Sequence, residues 1–125
     1  MMDHKTTIQE LKLKVKKFCE DRDWDQFHNA KELAIALSLE SAEVLDLFRY
    51  KSTEEVEKML KNPEKKLELS EELADVLYLV FRISQLYDID LSSQFNKKMA
   101  KNELKYPVEL AKGKNNKYTK LKKEN

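Results

Sequence analysis

The sequence predicts an all-α protein with a four-helix-bundle-like architecture, and three observations carry that expectation. Glycine occurs once and proline twice in 125 residues, too little material for the tight turns of a hairpin-rich sheet. Apolar residues recur at three- and four-residue spacing through most of the chain, the period of helices that bury one stripe. Ser, Thr, Asn and Asp stand just ahead of these periodic runs, where helix caps belong.

The first helix is expected to start at a Thr6 or Thr7 cap and to reach about Glu20, burying Ile8, Leu11, Val15 and Phe18. The stretch "EDRDWDQFHN" breaks the pattern and exposes Trp24, Phe27 and His28 on a loop or short turn. Asn29 caps a second helix ending near Tyr50. Ser52 and Glu55 have the spacing of a capping box, which predicts a short helix on the connection. Asn62-Pro63 places a cap before a proline at the first helical position, and the helix it opens runs to about Tyr87. Asp90 caps a fourth long segment, stopped by Pro107. Residues 1–112 read as one domain, and residues 113–125 as a mobile basic tail in which Tyr118 and Leu121 could dock.

Composition excludes several classes. No apolar run approaches the roughly 20 residues needed to span a bilayer, and "MMDHKTTIQE" lacks the apolar core of a signal peptide. A single cysteine, Cys19, permits no internal disulfide, so a reducing cytoplasm is the expected compartment. Cys19 itself reads as a packing residue. The net charge is only +1, which does not favour nucleic acid as the partner. The charge is nevertheless sorted: residues 32–48 and 67–81 each hold four acids and no Lys or Arg, whereas ten lysines face three glutamates from Phe95 onward.

Those two acidic stretches are the apolar ones. Positions three apart lie on nearly the same face of a helix, which puts Glu40 beside Glu43, and Glu72 beside Asp75. Helices so apolar on most sides are expected to be largely buried. Burying carboxylates without partners is costly or drives them to protonate, and neither helix offers a basic partner. Two facing helices giving two carboxylates each make a hard-oxygen site suited to Mg²⁺ or Mn²⁺. The competing reading, a solvated acidic face, fits Glu54-Glu57 and Glu68-Glu71 better. A ferritin-type di-iron site would want Glu-x-x-His, and neither His4 nor His28 has that spacing.

The order "RDWDQFH", "ESAE", "EELADVLYLV", "KNELKYP" and "KYT", spanning Arg22 to Thr119, resembles the MazG-like all-α nucleoside triphosphate pyrophosphohydrolases, and among them the dCTP pyrophosphatases. The resemblance implies a MazG-type fold assembled as a homodimer or homotetramer, with Mg²⁺ held by Glu40, Glu43, Glu72 and Asp75. It also implies hydrolysis of a (deoxy)nucleoside triphosphate to the monophosphate and pyrophosphate, in a nucleotide-pool cleansing role. One of the four carboxylates would orient the attacking water. Trp24, Phe27 and His28 match the motif that contributes to the base pocket. Tyr50 stands where the nearest relatives have tryptophan. Where family members carry a tyrosine four residues after the last metal ligand, this chain has Leu79, with Tyr78 one position early, a turn of about 100° on a helix. Lys51, Lys98 and Asn102 match positions suited to phosphate contact, and Ala100 replaces a common aspartate. These departures keep open a catalytically silent helical interaction module. Within the superfamily, phosphoribosyl-ATP or dUTP hydrolysis is the alternative.

Overall fold

The computed structural model describes residues 1–123. Every regular element among the described residues is a helix, and they fall in two compact units, Met1–Asp88 and Ile89–Asn125. The division falls at Asp88, a residue with φ of 51°, and not at the composition change near residue 113. The last two residues of the expected tail lie outside the described residues.

In the first unit a 3₁₀ turn, Met2–His4, precedes α1 (Ile8–Asp21), α2 (Ala30–Asp46), the short α3 (Thr53–Met59) and the long α4 (Pro63–Leu86). Local chemistry sets these boundaries. Thr7 closes a reciprocal capping box with Glu10, its hydroxyl accepting from the Glu10 amide at 3.1 Å and its own amide donating to the Glu10 carboxylate at 3.0 Å. Asn29 accepts from the Glu32 amide, Ser52 from Glu55 and Asn62 from Glu64, and Pro63 takes the first helical position, where no amide is missed. Thr7→Ala is expected to cost about 1 kcal/mol of stability, measured by urea unfolding. An unchanged midpoint would show that the cap contributes nothing.

Helices α1 and α2 both pack against α4, so α4 is the axis of this unit. The hydroxyl of Tyr87, just past the end of α4, accepts from the Ala30 amide at 2.8 Å. That contact fixes the start of α2 to the end of α4. The expected inner face of α1 is shifted: Cys19 is fully buried and Lys12 nearly so, Leu11 and Val15 are half-buried, and Ile8 and Phe18 are exposed. Phe18 sits on a rim instead, edge-on to Trp24 and Tyr78 and covered by the Arg22 guanidinium 3.8 Å from its ring centre.

The expectation of largely buried acidic helices is corrected as well. Of α2 only Leu33 is buried, and Ile35, Leu39, Leu45, Leu67, Leu73 and Leu77 are between 48% and 68% exposed. Each of these helices covers only part of the other. Helix α2 also ends four residues before Tyr50; residues 47–50 form turns, and Tyr50 takes φ of 63°, an unfavourable region for a bulky side chain.

The second unit holds α5 (Leu91–Lys105), capped by Asp90, then α6 (Val108–Ala111) after Pro107, and α7 (Tyr118–Lys123). Helices α6 and α7 pack together, Tyr118 meets Tyr106 edge-on, and Leu121 is fully buried. The basic stretch contains the helix α7. No described helix is long and apolar enough to cross a membrane.

Candidate active site

Helices α2 and α4 bring acids from separate parts of the sequence together. One carboxylate oxygen from each of Glu40, Glu72 and Asp75 lies within 4.8 Å of the others. Glu43 is exposed and stands outside that trio, yet its charge reaches Glu72. The Glu72 carboxyl is held above its ordinary pKa, first by desolvation, then by the charges of Asp75, Glu43, Glu40 and Glu71. Among the described residues no basic side chain forms an ion pair with any of the four. A set of carboxylate oxygens without an internal counter-charge fits a hard divalent cation. The donor chemistry suits Mg²⁺ or Mn²⁺.

Beside this cluster lies a cleft of about 320 Å³, at the lower end of the range for small-molecule sites. Trp24, Leu33, Ala36 and Leu79 supply its apolar surface, and His28, Glu32, Tyr78, Glu40 and Asp75 its polar groups. Glu40 and Asp75 belong to both the cleft and the carboxylate trio. A molecule filling the cleft therefore lies against the acidic cluster.

The walls are held from behind. The Tyr78 hydroxyl is 3.2 Å from the Cys19 thiol, and burial with this contact pushes its pKa above the usual phenol range. Tyr78 and Leu79 both line the cleft, so the one-residue shift still leaves an aromatic side chain on the wall. Trp24 packs between Phe18 and His28. His28 accepts at Nδ1 from the Arg82 Nε–H at 2.9 Å. Arg82 is fully buried; its other nitrogens donate to Gln85 at 2.6 Å and to Asp25 in an ion pair. Burial lowers the His28 pKa first and the Arg82 charge lowers it further, against the opposing pull of Asp25.

Other expected positions stand elsewhere. Phe27 is 63% exposed and lies outside the cleft. Tyr50 is 89% exposed, its hydroxyl accepting from Arg49 at 2.9 Å, and Lys51 is exposed beside it. Lys98 and Asn102 lie on α5 in the second unit, Lys98 exposed and Asn102 half-buried near the Met99 sulfur. Sequence reasoning passed over Glu32, Leu33 and Ala36 on the cleft wall, and Asp25 and Arg82 behind it. Arg82 had a readable signal: it is the sole basic residue between Leu67 and Tyr87. A lone arginine in so apolar a helix must find partners if buried.

The MazG-like family profile matches residues 35–121, which takes in α2 from Ile35 onward and all of α4. The chain belongs to the MazG-like family. Relatives extend the match to the N-terminal loop. The dCTP pyrophosphatase 1 of Rattus norvegicus is 35% identical over 115 residues, covering 92% of this chain and 68% of that protein. That of Homo sapiens is 33% identical over the same lengths. A pyrophosphatase from Archaeoglobus fulgidus, solved by crystallography, is similar in fold, with a TM-score of 0.74 and 35% identity over 80% of this MazG-like chain and 92% of its own.

Proposed function

We propose that this MazG-like chain is a divalent-metal-dependent nucleoside triphosphate pyrophosphohydrolase that prefers dCTP or a related deoxynucleotide. The observation that carries this reading is the sharing of Glu40 and Asp75 between an aromatic-walled cleft and a carboxylate cluster. A nucleobase fits the first and a cation-bound triphosphate the second. The similarity to dCTP pyrophosphatases supports the substrate class.

In this reading Glu40, Glu72 and Asp75 would hold Mg²⁺, with Glu43 proposed as the fourth carboxylate. The bound cation supplies charge neutralisation to the phosphate oxygens. Water attacks the α-phosphorus, the bond to the bridging oxygen breaks, and the monophosphate and pyrophosphate leave. One of the four carboxylates would take the proton of the water. Trp24 offers a face for stacking, while Leu33, Ala36 and Leu79 exclude solvent from the base. Lys51, in the same unit as the acidic cluster, is assigned to phosphate contact.

The test is direct. Incubation with each common dNTP and NTP, with Mg²⁺ or with EDTA, should yield monophosphate and pyrophosphate by anion-exchange chromatography, with dCTP among the best substrates and no turnover in EDTA. No turnover of any nucleotide by folded protein would leave a binding module as the better reading.

The chain is also proposed to work as a homo-oligomer. Six large apolar residues on α2 and α4 are about half exposed or more, more than scattered surface leucines account for. Sedimentation velocity should give a dimer or tetramer, and Leu39→Glu or Leu73→Glu should shift it toward monomer. A wild-type monomer at tens of micromolar would refute this.

A further inference from the structure

We propose that Arg82 is a positioning residue that fixes His28 in one tautomer, with the proton on Nε2, so that the cleft offers a hydrogen-bond donor and selects a ligand ring bearing an acceptor. The inference follows from the chemistry of the two partners. A guanidinium has donors only and keeps its charge at any working pH. The Arg82 Nε–H meets the Nδ1 of His28 at 2.9 Å, so Nδ1 must present its lone pair and carry no proton. A neutral imidazole then holds its proton on Nε2. That is the ring nitrogen left for the cleft, since His28 itself lines it.

The arrangement is rigid because Arg82 is. Its guanidinium is fully buried and committed on three sides, to His28, Gln85 and Asp25. Turning the imidazole over would set a protonated Nδ1 or a carbon against a buried N–H, an expensive arrangement. A nearby buried cation also opposes protonation of the ring, in keeping with the lowered His28 pKa. His28 is therefore a donor of fixed direction and not a cation. It stands beside Trp24, among the apolar residues of the cleft, which suits the acceptor edge of a heteroaromatic ring: a carbonyl oxygen or an unprotonated ring nitrogen. A base turned so that an amino group met Nε2 would face donor against donor, and that mismatch is how the pair discriminates.

This assignment of ligand rests on the pyrophosphohydrolase reading; the tautomer does not, and the experiment separates them. Long-range ¹H–¹⁵N correlation spectra of the full chain, labelled at histidine, should show His28 at pH 7 with Nε2 protonated and Nδ1 bare. In Arg82→Lys, which keeps the charge but not the planar N–H, the two tautomers should mix. A Nδ1–H tautomer, a cationic ring, or a spectrum unmoved by Arg82→Lys overturns the proposal.

The second arm exchanges the imidazole. Glutamine places its amide near the Nε2 position and asparagine near Nδ1. His28→Gln should hold KM for dCTP within about threefold, whereas His28→Asn should raise it roughly tenfold with kcat less affected, as expected for one lost hydrogen bond. Equal rises in both variants overturn the donor role. If the wild type turns over no nucleotide while the spectra hold, the proposed activity fails and the tautomer lock stands.

Discussion

Glu72→Gln is expected to lower Mg²⁺-dependent turnover roughly a hundred- to thousandfold and to make the metal-free protein more stable than wild type. Both effects have one origin. Glu72 is partly desolvated and surrounded by the charges of Asp75, Glu43, Glu40 and Glu71, which hold its carboxyl above the ordinary value. The sign follows from linkage. A raised folded-state value means that the folded protein binds the proton more tightly than the unfolded chain. Without metal, stability therefore declines as pH rises from the usual glutamate range through the raised value. Glutamine cannot ionise, so that decline should shrink. Added Mg²⁺ should reverse the order, because a ligand of the folded state stabilises only the protein that binds it. Thermal unfolding of both proteins in EDTA and in Mg²⁺, at pH 4 and pH 7, reads all of this. Turnover within a few-fold of wild type would remove Glu72 from the site.

The largest loss of stability is expected from Arg82→Met. The substitution keeps an unbranched apolar stem but removes the charge that His28, Gln85 and Asp25 share. Breaking a fully buried ion pair costs roughly 3–5 kcal/mol. Asp25 is half exposed and can rehydrate, so the expected cost is about 2–4 kcal/mol. Urea unfolding should show the midpoint fall at an unchanged slope. A loss under about 0.5 kcal/mol would mean that the network contributes little beyond what methionine packing restores.

Much of this protein was legible in its sequence because the relevant signals are local. Thr7, Asn29, Ser52, Asn62 and Asp90 all cap the helices they were expected to cap, since a cap is decided by a side chain and an amide two or three residues away. The helix ends without such chemistry were less certain: α2 stops at Asp46, short of Tyr50. The acidic trio was legible in part. Periodicity puts Glu72 and Asp75 on one face, but that Glu40 meets them while Glu43 stays outside the trio depends on how α2 lies across α4. Burial was read least well. Apolar composition says that a face wants cover, not whether its own chain supplies it, and Ile35, Leu39 and Leu73 remain exposed.

By itself the sequence determined an all-helical chain, the positions of its caps, and two carboxylate pairs in apolar stretches, residues 32–48 and 67–81, that carry no Lys or Arg. Each of these is fixed by chemistry within a turn or two of helix. Only the tertiary structure decided that Cys19 backs Tyr78, that Leu79 joins the cleft wall, and that Arg82 reaches across to His28 and Asp25. Those contacts join residues 54 to 59 positions apart. Their existence rests on the packing of α1 and α2 against α4, which no local pattern encodes.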